Sequence, residues 1–141
     1  MLYDDIEDPE SVTPAQLRAE YLAELAAVID ELGVDAVAEE SGVDRELVAA
    51  VAAGEEPTVE LADAAAVLAV DDGTPPEDAI LLETRDHLLL GMTTAVLDVD
   101  TIAAEMDDMD GKQVQQKIEG RAPMTLAEYA RLHRFIAGRQ D

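Results

Sequence analysis

Residues 38–54 read Ala38-Glu39-Glu40-Ser41-Gly42-Val43-Asp44-Arg45-Glu46-Leu47-Val48-Ala49-Ala50-Val51-Ala52-Ala53-Gly54, and this stretch decides the fold. Gly42 divides it into two short helical pieces, because a residue without a Cβ supports the tight turn between them. Ala38 is small enough to let the two helices cross closely. Val43 follows the turn, and Asp44 stands where its side chain can cap the second piece. Val48 and Val51, three residues apart, anchor that second helix to a core. Gly54 closes it, and Pro57-Thr58 leads to a further apolar stripe at Leu61, Ala65 and Leu68.

Working outward, the chain repeats itself. Thr13-Pro14-Ala15-Gln16 and Thr74-Pro75-Pro76-Glu77 both read as helix starts, with a Thr cap, Pro at the first helical position and Gln or Glu closing a capping box. The first opens a helix with Leu17, Tyr21, Leu22, Leu25, Val28, Ile29 and Leu32 at helical spacing, closed by Gly33. The second opens one with Ile80, Leu81, Leu88, Leu89, Met92, Val96 and Leu97, in which Gly91 is a weak point. Ala27-Val28-Ile29-Asp30 pairs with Ala95-Val96-Leu97-Asp98, and Val34-Asp35-Ala36-Val37-Ala38 with Val99-Asp100-Thr101-Ile102-Ala103. Further on, Asp44, Val48, Gly54 and Pro57 pair with Asp110, Val114, Gly120 and Pro123. Thr125-Leu126-Ala127-Glu128 is a capping box for the last helix. No segment alternates with period two, so the expected class is all-α with no sheet. The expected organisation is an acidic N-terminal tail (1–12), a first unit (13–70), a linker (71–73) and a second unit (74–141).

At Ala38, Gly42, Val43, Val48, Val51 and Gly54 the first unit resembles the helix-turn-helix core of the Cro and lambda-repressor type, also called Xre-like. The second unit is similar but departs from the pattern. Asp108 stands where the turn glycine belongs and Lys117 where the second aliphatic belongs, while Val114 and Ile118 can still form a buried i,i+4 pair. The chain as a whole resembles an uncharacterised haloarchaeal family of acidic proteins, a likeness that implies no function. The helix-turn-helix resemblance implies DNA binding through the N-terminal end of the second short helix.

Composition sets the limits. The chain has 141 residues, with 33 Asp and Glu against nine Lys and Arg, for a net charge of −24. Cysteine is absent, which excludes disulfide frameworks, thiolate metal sites and cysteine nucleophiles. Aromatics make up 3% and Trp is absent, which argues against base-stacking platforms. Leu, Ile, Val and Phe number 36, above the roughly 20% below which charged chains fail to build a core. An acidic surface with only two lysines resembles that of salt-adapted proteins from halophilic organisms, whose charges are screened within about 3 Å in molar salt. The longest uncharged run, Leu88 to Leu97, is too short to span a bilayer. The start, Met1-Leu2-Tyr3-Asp4-Asp5, is the opposite of a signal peptide's basic region. A cytoplasmic protein without membrane association is expected.

The charge is uneven. Residues 1–110 carry a net −27 and residues 111–141 a net +3, so six of the nine basic residues fall in the last 31 positions. The first unit's recognition-like positions, Asp44, Arg45, Glu46, Ala49 and Ala50, suit DNA poorly, so that unit is expected to be structural or to form a homodimer. The second presents Lys112, Gln113, Gln116 and Lys117, with Arg121 just beyond, which are donors able to address bases and phosphates. The expected function is therefore a non-enzymatic regulator of transcription that binds double-stranded DNA through this face. The alternative is a helical adaptor with degenerate units that binds another protein and no nucleic acid. Charge reversal at Lys112 and Lys117 should then abolish DNA binding with little effect on melting.

No cofactor, metal or catalytic set is expected. Asp107-Asp108-Met109-Asp110-Gly111 fails the EF-hand frame, because the twelfth position is Lys117, and it reads as helix capping. His87 and His133 read as isolated helical histidines, and Met106, Met109 and Met124 as packing.

Overall fold

A computed structural model describes residues 1–140, in which the chain is all-α: α1 (Pro14–Leu32), α2 (Val34–Ser41), α3 (Arg45–Ala52), α4 (Leu61–Leu68), α5 (Glu77–Ala95), α6 (Val99–Glu105), α7 (Gly111–Ile118) and α8 (Leu126–Gly138). Local chemistry sets most of these starts. Thr13 and Gln16 exchange reciprocal bonds at the start of α1, as do Asp110 and Gln113 at α7, and Thr125 and Glu128 at α8. Asp44 accepts from the Glu46 amide at 3.1 Å and caps α3. Gly42, at φ 75°, takes the left-handed conformation that ends α2 and turns the chain into α3.

One expected cap is not there. Thr74 does not start α5; the helix begins at Glu77 after Pro76, with no side-chain cap. The Thr74 hydroxyl instead donates to the carbonyls of Leu68 and Asp71, closing the turn after α4. The Pro75-Pro76 pair pushes the helical start two residues on, since the residue before a proline disfavours helical backbone.

The helices run 19, 8, 8 and 8 residues, then 19, 7, 8 and 13. One hydrophobic cluster passes through both series. The last helix, α8, packs against the first, α1, and against α4 and α5. Among the described residues the only extended pairing is an isolated antiparallel bridge, Glu60 to Thr125, which ties the entrances of α4 and α8. The Leu61 amide donates to Met124 there, and the Leu126 amide to Val59.

The 1–12 segment is bound to this core. Leu2 is fully buried, and its carbonyl accepts a 2.7 Å bond from the Tyr129 hydroxyl on α8. A single 3-10 turn, Pro9–Ser11, lies against α8.

Helix α5 departs from its expected face. Ile80, Leu88 and Met92 are buried, but Leu89 and Val96 face solvent. Val96 ends the helix in the left-handed region at φ 56°, an unfavourable place for a β-branched residue. Gly91 is the packing point of this helix: a Cβ there would lie 2.6 Å from Ile136 Cγ2 of α8. Its lack of a side chain is what lets α5 and α8 meet.

Candidate partner-binding surface

The helix-turn-helix-like positions are mostly structural. Val43, Val48, Val51, Val114 and Ile118 are buried and Ala38 is partly buried, while Gly42, Gly54 and Gly120 are exposed at positive φ in the turns. Met106, Met109 and Met124 are buried packing residues.

The basic residues of the last 31 positions are mostly occupied. Lys117 Nζ lies 2.5 Å from Glu128 Oε2, and both side chains are less than one-fifth exposed. Arg121 pairs with Glu119 at 2.6 Å and Arg131 with Asp108 at 3.0 Å. Arg131 holds the Asp108 carboxyl below its usual range, and that aspartate caps nothing. Arg134 donates to the Val12 carbonyl, and Arg139 lies over the Phe135 ring, 5.5 Å from its centroid. Gln113 spends its side-chain oxygen on the Asp110 amide. Gln116 is partly buried. Of the three cations of the expected face, Lys112 alone is exposed with no carboxylate within pairing distance among the described residues. The step in charge along the chain therefore has a structural use, since it supplies cations to nearby carboxylates and carbonyls.

These pairs change the expected outcome of charge reversal. Lys117→Glu places a second carboxylate against Glu128 in a half-enclosed site and should cost about 2 kcal/mol. Lys112→Glu, on the open surface, should stay within about 0.5 kcal/mol. Thermal melts of the two single variants check this, and equal shifts would contradict the Lys117–Glu128 pairing.

A different surface stands out on α5. Leu82, Leu89 and Val96 recur every seven residues and are 58%, 43% and 89% exposed, and Leu90 beside them is 67% exposed. A shallow groove of about 430 Å³, lined by Leu89, Met92, Thr93, Val96, Leu97 and Asp98, runs along the helix end. The helical period places Leu89 and Val96 on the apolar stripe of this helix, and the structure turns both outward. The contrary signal was present: three leucines in succession, Leu88-Leu89-Leu90, span most of a helix circumference and cannot all face inward.

The histidines are also not isolated. His87 Nε2 of α5 and His133 Nε2 of α8 lie 3.0 Å apart, and His133 Nδ1 is 2.6 Å from the Tyr21 hydroxyl of α1. Asp5 approaches His87 Nε2 at 3.8 Å. In this contact one Nε2–H donates and the other Nε2 accepts. Burial, with His87 adding to it, lowers the His133 pKa to about 4, and burial raises the phenols of Tyr21 and Tyr129. The two rings are 46 positions apart in the chain, beyond the reach of any local pattern. Among the described residues no three His, Cys, Asp or Glu side chains gather as a metal site.

Together these features define an all-α protein with an acidic exterior, one shared core and an apolar strip on its fifth helix. The chain belongs to DUF5791, a family of unknown function, whose model matches residues 17–139. No curated protein and no solved structure matches it. No single helix among the described residues is long and apolar enough to cross a membrane.

Proposed function

We propose that this protein is a non-enzymatic helical adaptor that docks an amphipathic helix of a partner protein on the outer face of α5. The observation that carries the reading is the heptad-spaced, exposed strip of Leu82, Leu89 and Val96, widened by Leu90. Seven-residue recurrence is the spacing at which one helix packs along another. Contiguous exposed apolar side chains on an otherwise acidic coat mark an interaction surface. Glu83, Asp86 and Asp98 flank the strip and are exposed. The partner helix that fits carries Leu or Ile on one face with Lys or Arg beside it.

The second reading is duplex DNA held by Lys112, Gln113, Gln116, Lys117 and Arg121, on the helix-turn-helix resemblance. Exposed Lys112 at the start of α7 favours it. The carboxylate partners of Lys117 and Arg121 weigh against it, because phosphates would have to compete with Glu128 and Glu119. A homodimer would place like charges against each other along α5, which molar salt would screen.

Fluorescence anisotropy with a labelled amphipathic Leu/Lys helical peptide tests the adaptor reading. Leu82→Asp, Leu89→Asp and Leu90→Asp keep the attraction for a basic peptide but remove the apolar surface. Each leucine buried is worth about 1.5–3 kcal/mol, so each change should weaken binding about ten-fold or more. Melting should move little, since these side chains are exposed. Equal affinity of the triple variant, or binding that vanishes in molar KCl as a purely charge-driven contact would, sinks the proposal. Nuclease-resistant recovery of one stoichiometric protein partner, lost in the same variant, would extend it to the native partner.

A further inference from the structure

Arg85 is the anomaly among the cations. In a chain with 33 carboxylates it makes no hydrogen bond and no ion pair among the described residues, and its Nε is buried without an acceptor. Leaving a buried charged donor unsatisfied is costly, and such a group calls for a partner. Its guanidinium lies across Gly120, where a Cβ would sit 2.6 Å from Arg85 Cζ and 2.8 Å from Nε. Gly120 is at φ 80°, and its missing side chain is what gives the guanidinium its place.

The same spot collects two further cations. A cavity of about 280 Å³ is lined by Arg85, Lys117, Gly120 and Arg121, with Glu60, Pro123 and Met124 among its other walls. Arg85 comes from α5, Lys117 from α7 and Arg121 from the turn that follows α7. Three of the chain's nine Lys and Arg thus meet at one small opening. Glu128 holds Lys117 and Glu119 holds Arg121, so Arg85 alone brings an unpaired charge to the opening, and the other two add only their remaining N–H donors. Glu60, exposed at the wall, pairs with none of the three.

We propose that this cavity is a binding site for a small phosphate-class oxyanion, free or carried on a small molecule, with Arg85 as its principal ligand. Planar, multidentate recognition of phosphate oxygens is what an arginine fork provides. The bound anion would accept from the Arg85 guanidinium at the cavity wall and tie α5 to α7. The proposal does not rest on the docking reading, although Arg85 lies on α5 between Leu82 and Leu89.

The test is a ³¹P NMR titration of the full chain with inorganic phosphate, at a KCl concentration where circular dichroism shows it helical. Saturable binding is expected, at one phosphate per chain. Arg85→Met should weaken it about ten-fold or more, and Arg85→Lys, which keeps the charge and loses the fork, should weaken it less. Should Arg85→Met lose helicity, Arg121→Met, at a side chain 62% exposed, is read in its place, with a smaller loss expected. Unsaturable binding, or equal affinity in wild type and every folded variant, overturns the proposal. Binding of a short DNA duplex with no response to inorganic phosphate also overturns it and supports the DNA reading instead.

Discussion

Replacing Tyr129 with alanine is expected to cost about 3–5 kcal/mol and to loosen both halves of the chain together. Tyr129 is fully buried on α8. Its ring lies 5.5 Å from that of Tyr21 on α1 and 5.2 Å from that of His133, and its hydroxyl holds the Leu2 carbonyl. The truncation removes the ring contacts, opens a cavity and frees the N-terminal segment. Against a total stability of about 5–15 kcal/mol, that is a large fraction. Tyr129→Phe keeps the ring and gives up only the bond to Leu2, so about 1 kcal/mol is expected. Urea unfolding followed by circular dichroism gives the two free energies. Hydrogen exchange resolves their location: protection should fall in α1 and α4 as well as in α5 and α8. Loss confined to α5–α8 would mean that the halves are separately stable.

Acidification should remove roughly 3 kcal/mol of stability through His133 alone. In the folded chain this ring is 3% exposed and its pKa is lowered to about 4, first by burial and then by His87. In the unfolded chain it titrates near 6.5. Between those values the unfolded state takes up a proton that the folded state refuses. The contribution is therefore complete above pH 6.5 and is lost as pH falls toward 4. The neighbouring groups are His87 of α5, Tyr21 of α1, Tyr129 of α8, and Asp4 and Asp5 of the N-terminal segment. The acidic coat works in the opposite sense, since protonating carboxylates near pH 4 relieves self-repulsion. Comparison with His133→Gln separates the two: wild type should lose stability relative to the variant from pH 6.5 downward. Parallel pH profiles would remove His133 as the cause, as would an NMR titration placing its protonation near 6.5.

Much of the fold was legible because it is written locally. Thr13 with Gln16, Asp110 with Gln113, and Thr125 with Glu128 are caps whose partners lie three residues away, so reading the chain in order finds them. Gly42 between two aliphatic runs marks its turn for the same reason. Thr74 matches a helix start, but its hydroxyl bonds backward to Leu68 and Asp71, and short-range patterns offer both directions. The face of α5 is not legible in the sequence, because period alone leaves Leu88 and Leu89 nearly equivalent. Packing against α8 at Gly91 selects Leu88 and turns Leu89 outward.

The candidate sites were less legible. Lys112, Lys117 and Arg121 form a basic run along the sequence, yet Lys117 is spent on Glu128 and Arg121 on Glu119. Arg85 lies in the acidic part of the chain, and only the fold brings the turn at Gly120 against it. By itself the sequence determined an all-α chain, its turns and most of its caps, and an acidic exterior, because those depend on composition and on neighbours within about one helical turn. Only the tertiary structure decided which cations are free, which leucines face water and that two distant histidines meet in a hydrogen bond. Those outcomes depend on how α5, α7 and α8 approach one another, and close packing sets that approach through contacts far apart in the chain.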